Sequence, residues 1–212
     1  MRKDTRGFMP GPSMEIIEFH FPHLSSTNSY AKEHLSNFQR DKITLISADE
    51  QTAGRGRYGG RRWVCPKGEG LLLSFVFFIP EEQQEPLSLT HVLSLSVVEV
   101  LKSFGVEGKI KWPNDVLVRG KKIAGILCET VHLPPSFGVV IGIGLNVNMP
   151  LETLQEVGQP ATSLLDQLGK KVDVGVVKEA LIASFSSKLD LFLQKGFAPF
   201  QQEFRHYLLF KS

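Results

Sequence analysis

The sequence predicts a single α+β domain in which a mixed β-sheet is flanked by helices. Two observations lead to this fold class. The chain has 212 residues, of which 42% are hydrophobic and 22% are charged, an ordinary composition for one folded domain. Short β-branched or apolar runs alternate with longer segments of helical periodicity, without internal repeats or a low-complexity linker. We expect residues 1–13 to be a flexible tail and residues 14–212 to form the domain.

In the N-terminal half, the pattern predicts a strand at 15–21, a helix at 25–35 and a strand at 43–49. Ser26 or Thr27 is expected to cap that first helix. Residues 71–79 form a run that is apolar on both faces, which indicates a central strand. Apolar residues then recur at helical spacing from about Leu87 to Phe104.

The C-terminal half begins with a predicted strand, KIKW, which Pro113 ends. A hairpin follows, with strands DVLV and KIAGILCET joined by a turn at Arg119 to Lys121. Residues 138–148 indicate another buried strand. Helical patterns cover about 174–194 and 199–207 and complete the chain.

Several function classes are excluded by composition and missing motifs. The formal net charge of +2 is too small for a dedicated nucleic-acid-binding protein. Cys65 and Cys128 lie far apart, which argues against a zinc site or disulfide framework and favours a reducing, cytoplasmic setting. No apolar run reaches the length of a membrane span, and neither a P-loop nor a GxSxG or HExxH motif is present.

The segment QTAGRGRYGGRRW, residues 51–63, contains four arginines and four glycines. Glycines let a backbone fold over a ligand, and guanidinium groups pair with phosphate or carboxylate oxygens. We therefore interpret it as an anion-binding loop that its ligand orders. A solvated basic surface loop and an RNA-binding Arg/Gly segment are the alternatives.

A second group of polar residues is KWPND…GKKIAG, where Lys111 and Lys122 flank a turn that carries Asp115. A lysine in a partly buried strand needs an anionic partner, which favours a binding site over an ordinary surface hairpin. The triplet Ser26-Thr27-Asn28 fits a helix cap and also a site for polar ligand groups. Asn146, in GIGLNVN, is a weaker candidate for binding phosphate.

Taken in order, STN, QTAGRGR, KWPND with KIAGIL, and GIGLNVN resemble the catalytic domain of the biotin protein ligases over about residues 25–205. The resemblance implies a fold like that of class II aminoacyl-tRNA synthetases and biotin synthetases. It also implies an ATP-dependent biotin–[biotin carboxyl-carrier protein] ligase. Such an enzyme makes biotinyl-5′-AMP and pyrophosphate, then transfers biotin to a carrier lysine.

The same resemblance implies site residues. Those expected at biotin are Ser26, Thr27, Asn28, Gln51, Gly54, Arg55, Gly56, Arg57, Lys122 and Gly125. Those expected at ATP are Arg55, Arg57, Arg61, Trp63, Lys111, Asn114, Lys122 and Asn146. The catalytic set is Lys122, Arg57, Lys111 and Asp115. Mg²⁺ is expected to be carried mainly by the ATP phosphates, and no protein ligands are assigned to it.

The implied partner is the biotin carboxyl carrier protein of acetyl-CoA carboxylase, and a homodimer is possible. We expect no DNA partner, no membrane and no repressor function, because no helix-turn-helix pattern precedes residue 25. The small C-terminal β-barrel of the family is also not expected. Tyr58 stands where many bacterial members carry arginine. The alternatives are a lipoate or octanoate ligase of the same fold and a non-catalytic RNA-binding module.

Overall fold

The computed structural model describes residues 14–56, 62–82 and 86–209. Its strands form one seven-stranded sheet in the order β1-β2-β3-β7-β6-β5-β4. The strands are β1 Ile16–Phe21, β2 Ile43–Ala48, β3 Gly70–Pro80, β4 Lys109–Lys111, β5 Asp115–Val118, β6 Lys121–Leu133 and β7 Ser136–Asn146. β1 and β2 are parallel, and every other neighbouring pair is antiparallel. The sheet is therefore mixed, as predicted.

Six α-helices accompany the described part of the sheet. They are α1 Thr27–Glu33, α2 Leu89–Ser103, α3 Leu151–Glu156, α4 Leu164–Leu168, α5 Val174–Lys195 and α6 Gln201–Tyr207. Short 3₁₀ turns cover Leu35–Asn37, Pro86–Ser88 and Ala198–Phe200. None of these helices is long and apolar enough to cross a bilayer.

The two faces of the sheet have different coverings. On one face, Ile141 and Ile143 of β7 belong to the main core, together with apolar residues of α2 and α5. The Phe185 ring of α5 packs 4.7 Å from that of Phe75, centroid to centroid. On the other face, α1 places Ala31 against Val140. Removing these side chains from water is the main source of stability for the sheet.

Each of the strands and helices predicted from the sequence is present, with small differences at the ends. Ser26 is the N-cap of α1, and its Oγ accepts a hydrogen bond from the Ser29 amide. The predicted hairpin turns at Arg119 and Gly120, whose positive φ angles of 49° and 78° match a two-residue type I′ turn. The sequence analysis missed α3 and α4, because each has fewer than two turns and too few residues to display helical periodicity.

Candidate active site

A cavity of about 850 Å³ lies where α1, residues 51–56 and 62–63 and the KWPND turn meet strands β6 and β7. This volume falls in the range of small-molecule binding sites. Asp115 is the single carboxylate among the described residues that line it, whereas Arg55, Arg62, Lys111 and Lys122 contribute cations. The lining is therefore suited to an anionic ligand.

The end of the cavity at α1 is a chain of hydrogen bonds between side chains. The Gln51 Oε1 accepts from the Thr27 amide at 2.7 Å and from the Thr27 hydroxyl at 3.1 Å. The Ser74 Oγ lies 2.7 Å from the Thr27 Oγ1 and 2.6 Å from the Asn28 Oδ1, and its single proton serves one of them at a time. Because each polar group has a partner, this wall is held in one arrangement.

Glycines of β6 and β7 form the floor of the cavity. Gly125 and Gly144 face each other across the two strands. The indole of Trp63 lies over both: a Cβ added at Gly144 would be 2.2 Å from the Trp63 Cε2, and one at Gly125 would be 3.1 Å from its Cζ3. At Gly142, an added Cβ would be 2.1 Å from the Asn28 Oδ1. Only glycine leaves room for these side chains to lie flat on the sheet.

A β-bulge aims Lys122 into the cavity. The register between β5 and β6 shifts between Val116 and Leu117, so that Leu117 pairs with Lys122 and Ile123 has no partner across the strands. Ile123 and Ala124 consequently both lie in the main core, and Lys122 turns to the cavity face. Backbone bonds to Pro160 and Thr162 fix Lys122 from its other side.

The ammonium of Lys122 pairs with the carboxylate of Asp115, with 2.6 Å between Nζ and Oδ1. Both side chains are mostly buried, at 17% and 18% exposure. The Nζ also lies 5.5 Å from the ring centre of Trp63, a cation–π contact. Asn114, next to Asp115, donates its Nδ2 proton to the Ile126 carbonyl at 2.8 Å. The turn therefore holds the carboxylate and the ammonium at a fixed distance.

The structure brings most of the predicted site residues together. The described ones that line the cavity are Ser26, Thr27, Asn28, Gln51, Arg55, Gly56, Trp63, Lys111, Asn114, Asp115, Lys122 and Gly125. Gly54 lies just behind the lining, where an added Cβ would be 2.8 Å from the Trp63 carbonyl oxygen. Arg57 and Arg61 lie outside the described residues.

Asn146, which the sequence analysis placed at ATP, is a described site residue that lies behind the cavity lining. It is 4% exposed and is not part of the cavity lining. Its Nδ2 donates to the Thr162 carbonyl at 2.9 Å. In this structure Asn146 ties the 160–162 segment, which also bonds the backbone of Lys122, to the end of β7.

Three residues important for the site were missed in the sequence. Ser74 is one polar residue inside an otherwise apolar strand, which is a detectable signal of a buried polar contact. Gly144 makes room for the Trp63 indole, and a glycine inside a strand is a detectable signal of such a close approach. Leu209 lines the cavity because its amide bonds the Ile110 carbonyl at 2.7 Å, and no local pattern indicates that pairing.

Comparison with known proteins identifies the family to which the chain is related. The model of the biotin/lipoate A/B protein ligase family matches residues 20–146. The chain is 36% identical over 189 residues to the bifunctional ligase/repressor BirA of Bacillus subtilis, and this covers 88% of the chain and 58% of BirA. It is 44% identical over 131 residues to the biotin–[acetyl-CoA-carboxylase] ligase of Mycobacterium tuberculosis, covering 59% of the chain and 46% of that protein.

The fold is similar to that of the biotin protein ligase from Aquifex aeolicus solved with biotin and ATP. The TM-score is 0.73 at 32% identity, over 92% of the chain and 78% of the Aquifex chain. The chain thus spans 58% of the length of the Bacillus relative and a larger share of the Aquifex one. The family model covers more than half of the chain, and the chain belongs to the biotin/lipoate A/B protein ligase family.

Proposed function

We propose that the chain is a biotin protein ligase. It would join biotin to ATP as biotinyl-5′-AMP, with release of pyrophosphate, and then pass biotin to a lysine of the carrier subunit of acetyl-CoA carboxylase. The observation that carries this proposal is the Lys122–Asp115 pair, 2.6 Å apart at the floor of a cation-lined cavity. The ligases from Mycobacterium and Aquifex support the choice of biotin, ATP and acetyl-CoA carboxylase.

In the first step, a carboxylate oxygen of biotin attacks the α-phosphorus of ATP. A C–O–P linkage forms, the bond from the α-phosphorus to the bridging oxygen breaks, and pyrophosphate leaves with the electron pair. Both reactants are anions, so the cations of Arg55, Lys111 and Lys122 lower the barrier by offsetting their repulsion. On the sequence alone, we also assign Arg57 and Arg61 to the loop that covers the adenylate.

Magnesium fits this site as an ion held mainly by ATP. Mg²⁺ in nucleotide enzymes is bound by one or two carboxylates together with substrate phosphates. No group of three metal-binding side chains occurs among the described residues, and Asp115 is the single carboxylate in the described lining. When bound, the ion would neutralise phosphate charge. Asp115, together with the Oδ1 of Asn114, is the group that would hold it.

In the second step, the amine of the carrier lysine attacks the carbonyl carbon of the adenylate. The C–O bond to phosphate breaks, and AMP leaves. The attacking amine must be neutral, yet a free lysine with a pKa of about 10.4 is mostly protonated at pH 7. We assign Asp115 as the group that orients this amine and accepts its proton, because its carboxylate lies in the cavity. Lys122 meanwhile turns towards the phosphate of the adenylate, where negative charge develops as AMP leaves.

The test is mass spectrometry of the acyl-adenylate. We expect the protein to form biotinyl-5′-AMP from biotin and ATP and, after addition of a biotin carboxyl carrier domain, to biotinylate one lysine. Parallel reactions with lipoate and octanoate test the alternative ligases of the same fold. Adenylate with lipoate or octanoate only, or pyrophosphate release that biotin does not increase, would end the proposal.

The proposal also covers the cellular location and the oligomeric state of the protein. Cys65 and Cys128 are free thiols, which suits the cytoplasm. β5 covers the outer edge of β6 only as far as Gly125. We propose a homodimer through the remaining edge, within Leu127 to Leu133, and light scattering of the purified chain would test it.

A further inference from the structure

A carboxylate of β6 connects two walls of the cavity. The Glu129 Oε2 accepts from the Asn28 Nδ2 at 3.0 Å and lies 3.4 Å from an Nη2 of Arg55. Its Oε1 accepts from the Lys32 Nζ at 2.8 Å. Asn28 and Lys32 belong to α1, whereas Arg55 belongs to the basic segment. One side chain thus links three elements.

Glu129 itself does not line the cavity, but Asn28 and Arg55 do. The carboxylate is 20% exposed and Arg55 is 47% exposed, so the acid lies behind the residue that a ligand would meet. The pKa of the Glu129 carboxyl lies below its usual value. Burial by itself would raise this pKa, but it is outweighed by hydrogen bonds from Lys32 and Asn28 and by the positive charges of Lys32 and Arg55. The group is therefore an anion at neutral pH.

The long side chain of Arg55 gains from such a partner because the glycines on either side of it offer no side chain to pack against. Arg55 lies between Gly54 and Gly56 and forms an isolated antiparallel β-bridge with Arg62. A long side chain in such a place loses rotamer freedom when a ligand fixes it, which weakens binding. Glu129 accepts a hydrogen bond from the Nη2 of Arg55. Because a guanidinium has five N–H donors, others remain for an anionic ligand.

We propose that Glu129 is a positioning residue that fixes the Arg55 guanidinium at the cavity wall before an anionic ligand binds. Taking biotin as that ligand rests on the proposed function. The side chain acts through Arg55 and does not touch the ligand. Its contribution is preorganisation, so its removal weakens binding even though no ligand contact is lost.

The experiment is a double-mutant cycle on biotin affinity, measured by calorimetry with the full chain. Glu129→Gln removes the charge but retains an oxygen that accepts from Asn28. We expect it to raise the Kd for biotin by about tenfold, the loss of roughly one charge-assisted hydrogen bond. In the Arg55→Ala background, the same change should alter Kd by less than about twofold, because the partner is already gone.

Glu99→Gln is the matched control. Glu99 also pairs with a lysine, Lys188, but lies on α2 away from the cavity. It should leave the Kd for biotin unchanged. Urea unfolding of each variant shows whether it is folded. If Glu129→Gln does not fold, Glu129→Asp, which keeps the charge but shortens the reach, replaces it in the cycle.

The outcomes are distinct. Wild-type protein that does not bind biotin contradicts the proposed function. Wild-type binding with an unchanged Kd in Glu129→Gln overturns the positioning role. Equal losses with and without Arg55 also overturn it, because they indicate a structural effect independent of the guanidinium. Loss of affinity that disappears in the Arg55→Ala background supports it.

Discussion

The ammonium of Lys122 lies 2.6 Å from the carboxylate of Asp115 inside the cavity, with the Trp63 ring on its other side. An anionic ligand must therefore share or replace Asp115 as the partner of Lys122. The lysine is charged, shielded from water and fixed by a β-bulge, which makes it the strongest candidate for stabilising charge that develops during reaction.

Replacing Lys122 tests this role directly. We expect Lys122→Met to lower the rate of biotinyl-5′-AMP formation by about 10²–10³-fold, the typical loss for one electrostatic contact to a transition state. Lys121→Met is the control, because Lys121 is its exposed neighbour and does not line the cavity. Rapid-quench measurement of adenylate gives both rates. A Lys122→Met variant as fast as wild type would remove the lysine from the mechanism.

The buried hydroxyl of Ser74 contacts the side chains of Thr27 and Asn28 at the α1 end of the cavity. Ser74→Ala leaves the Asn28 Oδ1 without its short contact, and an unsatisfied buried acceptor costs about 1–3 kcal/mol. We expect the free energy of unfolding to fall by that amount and biotin to bind more weakly. Urea denaturation and calorimetry measure the two effects.

Ser94→Ala is the comparison for Ser74→Ala. Ser94 is equally buried, but its hydroxyl donates to the Thr90 carbonyl in the same helix. Without the hydroxyl, that carbonyl still accepts its helical backbone hydrogen bond. It should cost less stability and leave biotin affinity unchanged. Equal losses in both variants would mean that the hydroxyl of Ser74 has no special role in the wall.

Cys65 should be unreactive in the folded protein. Burial, with a smaller contribution from Glu69, raises the pKa of its thiol to about 12. At about pH 8 the thiolate fraction is then about one in ten thousand, and thiolate is the reactive form. In a Cys128→Ser background, we expect a thiol reagent to modify Cys65 only after unfolding in urea. Rapid modification of the native protein would contradict its burial.

The same shift makes stability depend on alkaline pH. The folded-state pKa lies above the unfolded value, so the protonated thiol stabilises the fold fully below the unfolded pKa. That contribution is lost as pH rises from about 9 towards 12. Unfolding free energy should decline less steeply over this range in Cys65→Ala than in wild type. Parallel slopes would show that the thiol does not titrate with folding.

Local patterns were sufficient for much of the fold and part of the site. The turn at Arg119 and Gly120, the Ser26 cap and the placement of Lys111 beside Asp115 each depend on residues close in sequence. The remaining features depend on pairing between distant strands. Ser74 faces Gly142 only because β3 and β7 adopt one register, and no local rule sets that register.

Asn146 shows that one polar residue in the sequence is compatible with two roles. As a polar residue at the end of a buried strand, it indicated a ligand contact. In the structure, its amide satisfies a carbonyl of the 160–162 segment, which returns to the sheet after α3. Buried polar groups require a partner, and a backbone carbonyl brought in by the chain is as good a partner as a ligand. Sequence alone does not distinguish the two.

The close contact between Gly144 and the Trp63 indole leads to the last prediction. In Gly144→Ala, the new Cβ would lie 2.2 Å from the Trp63 Cε2 and 2.5 Å from its Nε1, so the ring must move off the floor of the cavity. Forcing such a shift costs about 1–3 kcal/mol. We expect lower unfolding free energy and much weaker biotin binding, with changed Trp63 fluorescence.

Gly175→Ala is the control for Gly144→Ala. Gly175 lies in the first turn of α5, where an added Cβ would be 3.0 Å from the Oδ1 of Asp173, the exposed N-cap residue. A small shift of that side chain relieves the contact, and alanine favours helix. Stability there should stay constant or rise by less than about 1 kcal/mol. If Gly144→Ala also retained stability and biotin affinity, the indole could lie elsewhere without loss. Glycine at 144 would then not be required to seat Trp63, and the floor of the cavity would not depend on their contact.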